Sequence, residues 1–198
     1  MISDEDSSDE SELSEDDDNR TIFLFVISLN KKIVDVISDI LRLDADSSDP
    51  IRLIINSRGG NTNGMFALYD VMRTCRCQLT TIGIGDILSA SVLILAAGTK
   101  GHRFIGPSAT IMTHQVKITT DKGSIEYINT QLSLWRRHEK NWVNAMVRAT
   151  GRPRHEIEFL NSTNNDVYLT PRQCIDLGIA DHLLHDGDND NAEEPYTY

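Results

Sequence analysis

Three side chains in this 198-residue chain could together attack a carbonyl group: Ser89 in "GDILSASVLILAAG", His114 in "IMTHQ" and Asp166 in "NNDVYLT". A serine hydroxyl is a weak nucleophile unless a base stands within hydrogen-bond reach and a third group orients that base. Ser89 follows a strand-like segment and opens a run of small and apolar residues. There the free N–H groups and the dipole of a helix N-terminus favour developing negative charge. The same place also suits a serine that only starts a helix. His114, at the end of a short strand segment, reads either as a general base or as an imidazole held by a local hydrogen bond. Asp166 reads either as the third member of the set or as a turn residue in an Asn/Asp-rich loop. Chain order does not choose between these readings, because unrelated folds arrange serine, histidine and aspartate differently.

The elements that must position these residues follow from hydrophobic periodicity. "TIFLFVI" (21–27) is an apolar run of strand length, and the segment after it puts Ile33, Val34, Ile37, Ile40 and Leu41 on one helical face. "PIRLIIN" predicts a second strand, "SRGGN" a glycine turn, and "NGMFALYDVMRTC" a helix with Met65, Leu68, Tyr69 and Met72 aligned. "LTTIGI" predicts a third strand, so the opening is a run of β-α-β units with a parallel sheet covered on both faces. The segment 87–97 is apolar all round and predicts a buried central helix. "HRFI" and "ATIMT" are short strand candidates. From 123 to 149, Ile125, Ile128, Leu132, Trp135, Trp142, Val143 and Met146 recur at helical spacing among charges, a long amphipathic helix that packs on its own body or on a partner. "TPRQCIDLG" starts a helix at Thr170 and Pro171 and stops it at Gly178, and "IADHLL" finishes as an edge strand.

Composition narrows the class. One domain fits the length. The net charge of −11 is concentrated at the ends: ten acidic residues fall within the first 18 positions and five within the last 13, while all 19 Lys and Arg lie between. An acidic leader (1–20) and tail (186–198) of this kind cannot bury enough apolar surface to order themselves, and both are expected to be disordered. The body, 21–185, is close to neutral and slightly basic, 19 Lys and Arg against 15 Asp and Glu from Arg20 to His185, and no nucleic-acid partner is expected. Neither a transit peptide nor a secretory signal is expected at the start, and no apolar run has the length of a membrane span. Cys75, Cys77 and Cys174 are too few for a disulfide framework and complete no zinc spacing, which predicts a reducing compartment, cytoplasm or organelle stroma or matrix, and no metal.

Read together, "INSRGG", "LYDVM", "GDILSASVLILAAGTKGHRF", "IMTHQ" and "DVYLTPRQCIDLGIAD" resemble the proteolytic subunit of the Clp protease, over about 22–184 and in the family's order. The resemblance implies an α/β, crotonase-like spiral of β-α-β units with a protruding long handle helix, assembled as seven-membered rings that stack around a chamber. It implies an endopeptidase, itself ATP-independent and without cofactor, acting on peptides or unfolded proteins, with an AAA+ unfoldase as a partner that could supply them. Matched residue by residue, Ser89 falls on the nucleophile, His114 on the base, Asp166 on its orienting acid, and the N–H groups of Gly60 and Ala90 on the oxyanion hole. Gly59, Gly60 and Gln115 fall where an extended substrate strand would pair.

The chain departs from the family pattern at several places. Arg58 stands where the family has proline, and Ala90, Ser91 and Val92 replace Met-Gly-Ala, crowding a helix beside the nucleophile. "VKITT" (116–120) replaces the glycine-rich strand that helps join rings, and the acidic leader replaces the hairpin that meets the unfoldase. Two alternatives follow: a catalytically weak or inactive structural subunit of a mixed ring, and, from the shared superfamily, an acyl-CoA site using the same oxyanion hole. Retention of all three of Ser89, His114 and Asp166 argues for the peptidase.

Overall fold

The computed structural model describes residues 19–26, 32–115, 123–162 and 165–184. The acidic leader to residue 18, the segment 116–122 and the acidic tail from 185 lie outside them, as do the expectations placed on those segments.

Strand β1 (Thr21–Val26), helix α1 (Ile33–Asp46), strand β2 (Ile51–Ser57), helix α2 (Thr62–Thr74) and strand β3 (Leu79–Leu88) follow one another as expected, and the three strands pair in parallel. On α2 the predicted face is the buried one: Met65, Leu68, Tyr69 and Met72. On α1 it is not quite. Ile33, Val36, Ile40 and Leu43 turn inward, while Val34 and Leu41 face outward. Apolar residues on α1 span more than one face, and contact with the sheet selects the i, i+3, i+7 row.

Strand β3 runs four residues past its predicted end, through an irregularity at which Ile55 pairs with Gly83 but Ser57 pairs with Ile87. Gly85 sits there at φ +60°, a conformation that glycine takes without a Cβ penalty. The Asn56 side chain seals the gap by accepting from the Asp86 N–H at 3.1 Å. The bend lets one strand serve two neighbours. Thr81–Gly83 pair with β4 (Arg103–Ile105), and Asp86–Leu88 pair with β5 (Thr110–Thr113). The main sheet is thus β1-β2-β3-β4-β7, with β7 (His182–Leu183) at the predicted edge, and β5 branches off to pair antiparallel with β6 (Val167–Leu169).

The central helix α3 (Ala90–Ala96) is buried at every residue, and it starts three residues later than its apolar run because Ile87 and Leu88 still belong to β3. Helix α4 (Ile125–Thr150) follows the predicted span, capped by the Ser124 hydroxyl and closed at Gly151. Its two halves differ. Trp142, Val143, Ala145 and Met146 are buried on the body, whereas Ile125, Tyr127, Ile128 and Leu132 are exposed. Helix α5 (Arg154–Ser162) and strand β6 have no counterpart among the predicted elements, and α6 (Pro171–Asp176) opens with a full capping box between Thr170 and Gln173.

One buried ion pair ties the C-terminal half together. Arg103 is 1% exposed and forks onto Asp181 at 2.5 and 2.8 Å, while its Nη1 donates to the carbonyls of Ala96, Ala149 and Gly178. It therefore satisfies carbonyls near the ends of α3, α4 and α6 with one side chain. Burial raises the Asp181 pKa, but the Arg103 guanidinium and the N–H groups of Gly101 and Arg103 more than reverse this and leave it below its ordinary value.

Candidate active site

Ser89 lies at the turn where β3 ends and α3 begins. Its backbone, at φ +58° and ψ −119°, is the one non-glycine positive-φ case among the described residues. Such a conformation costs about 1–3 kcal/mol and persists only where the surroundings impose it. The surroundings here are visible. The Ser89 N–H is held by the Met112 carbonyl of β5 at 2.7 Å, the Ser89 carbonyl accepts from Val92, and the loop 58–60 presses on the turn from the other side. Ser89 is the N-cap residue of α3, but its hydroxyl makes no capping bond, and the residue is half-buried on an open cleft.

The loop from β2 to α2 forms the other wall. A Cβ on Gly59 would lie 2.6 Å from the Leu88 carbonyl oxygen and 2.9 Å from both the Ala90 nitrogen and the Ser89 Cβ, so only glycine admits this approach. The Gly59 N–H is taken by the Ser57 hydroxyl at 3.1 Å. Neither Gly60 N–H nor Ala90 N–H has an acceptor among the described residues, and both residues line the cleft. Ser91, at the position that crowds α3, sends its buried hydroxyl to the carbonyls of Ser57 at 2.8 Å and Leu88 at 2.7 Å. The bulk added there is absorbed by hydrogen bonds that tie α3 to β2 and to the end of β3.

The cleft, about 380 Å³, also receives His114 from the end of β5. No hydrogen bond joins His114 to Ser89. Instead Nδ1 lies 2.5 Å from the carbonyl oxygen of Gln115, an acceptor to which the ring nitrogen donates. Asp166 does not line the cleft. It is exposed and engaged in an interaction of its own, one residue before β6. The last antiparallel pair of β5 with β6 is Thr113 with Val167, and one step further along each strand stand His114 and Asp166. Gln115 is exposed and lines a neighbouring cavity rather than the cleft.

Several liners lay outside the sequence reading as site residues. Trp135 and Trp142, read there as core positions of a helix, form an apolar side of the cleft with Met65, and Asn161 enters from α5. Behind Trp135, His138 is buried with its Nδ1 unpartnered among the described residues, packed edge-on against Phe66 and Trp135. Burial, with the nearby Arg137 charge, lowers its pKa. Helical spacing puts Trp135 and Trp142 among the apolar positions of α4, whereas it does not single out His138, three residues after Trp135 on the same face, and spacing does not say what that face meets.

Away from the cleft, Cys75 and Cys77 meet Asp44, which lies too far back in sequence for a spacing rule to find. The Asp44 carboxylate accepts from the backbone N–H groups of Cys77 and Arg76 and from the Cys75 thiol, and these bonds, that from Cys77 first, hold it well below the usual carboxylate range. Arg76 and Arg20 also touch the cluster. These contacts account for the carboxylate as the cap of the 75–77 turn.

A largely parallel sheet with one antiparallel branch, and a buried helix launched from a strained serine, define a mixed α/β protein whose cleft is lined by Ser89, Ala90, Gly60 and His114. The chain belongs to the Clp protease family, whose model matches residues 7–187. It is 33% identical over 153 residues to "ATP-dependent Clp protease proteolytic subunit 3, chloroplastic" of Arabidopsis thaliana, covering 77% of this chain and 48% of that protein. It is 35% identical over 150 residues to "ATP-dependent Clp protease proteolytic subunit 4" of Rhodococcus jostii, covering 75% and 76%. A proteolytic subunit from Dehalococcoides mccartyi is 32% identical over 155 residues, covering 78% and 76%. The chain spans about half the length of the Arabidopsis relatives it matches, 48% and 54%. Among the described residues no helix is long and apolar enough to cross a membrane.

Proposed function

We propose that the chain is a serine endopeptidase core of the Clp type, with Ser89 as nucleophile, His114 as general base and Asp166 as the acid that orients it. The observation that carries this reading is the strained Ser89 turn, whose hydroxyl is left out of helix capping and whose cleft holds the Gly60 and Ala90 amides together with His114. In the reaction, Ser89 Oγ adds to the peptide carbonyl as His114 Nε2 takes its proton. The C–N bond then breaks, His114 returns the proton to the leaving amine, and water repeats the sequence on the acyl-enzyme. The oxyanion is held by the Gly60 and Ala90 N–H groups; one such donor typically contributes ~10²–10³ in rate. The Gln115 carbonyl now occupies His114 Nδ1, and a turn of the ring toward β6 exchanges it for Asp166 in the working state. Extended substrate pairs along Gly59, Gly60 and Gln115 by strand addition, which reads main chain and tolerates varied side chains.

The working form in this reading is an oligomer, a heptameric ring of this chain or a mixed ring with related subunits, closed around a chamber in a reducing compartment and supplied by an AAA+ unfoldase. The fold is then the crotonase-like spiral, and the exposed apolar half of α4, including Ile125 at 79% exposure, is its handle. The test combines native mass spectrometry with a fluorophosphonate probe. Labelling of the assembled protein that disappears in Ser89→Ala supports the reading. No labelling in a verified ring refutes it and leaves a structural subunit.

A further inference from the structure

We infer that Arg58 makes the cleft select peptides with an acidic side chain beside the scissile bond, an inference that rests on the peptidase reading of Ser89. Among the described residues, Arg58 is the only permanently charged liner of the cleft, and no carboxylate lines it. The rest of the wall is glycine, alanine, neutral polar groups and the apolar set of Met65, Trp135 and Trp142, with His114 as the other titratable group. Arg58 is also close to the chemistry. It directly precedes Gly59, whose backbone packs against the Ser89 turn so tightly that a Cβ would reach within 2.9 Å of the Ser89 Cβ.

Its present partner does not commit it. The Arg58–Asp86 contact is 3.7 Å, with side chains 64% and 44% exposed, a weak surface pair that a substrate carboxylate can replace. The neighbouring cavity, which shares Asn161 with the cleft, extends the same sign of charge. It is lined by Arg136, Lys140 and Arg154 against Glu139 and Glu158. Arg154 is paired with Glu158 at 3.3 Å, while Arg136 and Lys140 have no ion-pair partner among the described residues. An extended peptide lying across both cavities would therefore pass a surplus of positive charge, and its own acidic groups would be attracted at each end.

The test uses the assembled full chain and quenched-fluorescent peptides that differ only by Glu, Gln or Lys at single positions on either side of the cleaved bond. At one position or more, Glu is expected to exceed Gln by about two- to five-fold in kcat/KM at low salt, with the gain in KM and Lys below Gln. Raising salt shrinks the ratio toward one. Arg58→Gln removes the preference, Arg58→Glu inverts it, and Asp86→Asn enlarges it. Equal cleavage of Glu and Gln peptides at every position, or a ratio unchanged in Arg58→Gln, overturns the inference while leaving the peptidase reading intact. Where peptides bind without turnover, their protection of Ser89 from the fluorophosphonate probe gives the same ratio. No cleavage and no labelling overturn both.

Discussion

Replacing Gly59 by alanine separates two costs that usually come together. Gly59 and Gly101 have nearly the same φ, +85° and +87°, so alanine at either position carries a positive-φ penalty of about 1–2 kcal/mol. Their surroundings differ completely. A Cβ at Gly101 meets nothing within 4 Å, whereas at Gly59 it meets the Leu88 carbonyl oxygen at 2.6 Å and the Ala90 nitrogen at 2.9 Å. Those neighbours are backbone, so no side chain can swing aside, and the turn must retreat by roughly 0.5–0.8 Å to restore ordinary contact; overpacking of this kind costs a further ~1–3 kcal/mol. Gly101→Ala is thus expected to lose about 1–2 kcal/mol in urea unfolding and Gly59→Ala about 2–5 kcal/mol. The second readout is the labelling rate of Ser89. A displacement approaching 1 Å at the reacting group costs ~10²-fold, so Gly59→Ala should label about a hundredfold more slowly while Gly101→Ala labels as the parent does. If the two variants match in both stability and labelling, the close approach of the 58–60 loop does not shape the serine turn and the reasoning is wrong.

Three further expectations concern the body. Arg103→Met strands the part-buried Asp181 carboxylate and three carbonyls and should cost up to about 3–5 kcal/mol in urea unfolding, with much of it recovered when Asp181→Leu is added; equal losses in the single and double variants would contradict this. Because the folded pKa of Asp181 is depressed, its contribution is fully present above the unfolded value of about 3.9 and is lost as pH falls from there through the folded pKa; stability measured across that window should drop more steeply for the parent than for Asp181→Asn. Burial, with Asp44 accepting its hydrogen bond, pushes the Cys75 thiol up to about 12, so iodoacetamide at pH 8 should alkylate it far more slowly than a free cysteine, and Asp44→Asn should speed the reaction; a parent rate equal to free cysteine rejects the assignment.

The sequence by itself determined whatever depends on neighbours a few residues apart. The inward row Met65, Leu68, Tyr69 and Met72, the Thr170–Pro171 helix start and the span of α4 all follow from periodicity and capping, which are local rules. The order of parallel β-α-β units and the family membership were legible for the same reason, since both rest on contiguous segments. Tertiary structure decided the rest. Periodicity left α1 two usable faces, and the sheet chose the one that excludes Val34 and Leu41. Strand β3 continued past Ile84 because Asn56, 30 residues before Asp86, satisfies the irregularity with its side chain. That bend carries Ser89 to β5, whose Met112 carbonyl holds its N–H, and the loop at Gly59 closes on the turn from a third element. No short window of sequence contains these contacts, and only packing, which brings residues 23 (Ser89 and Met112) to 34 (Ser57 and Ser91) positions apart to within bonding distance, turns a common serine into a strained one beside the Gly60 and Ala90 amides.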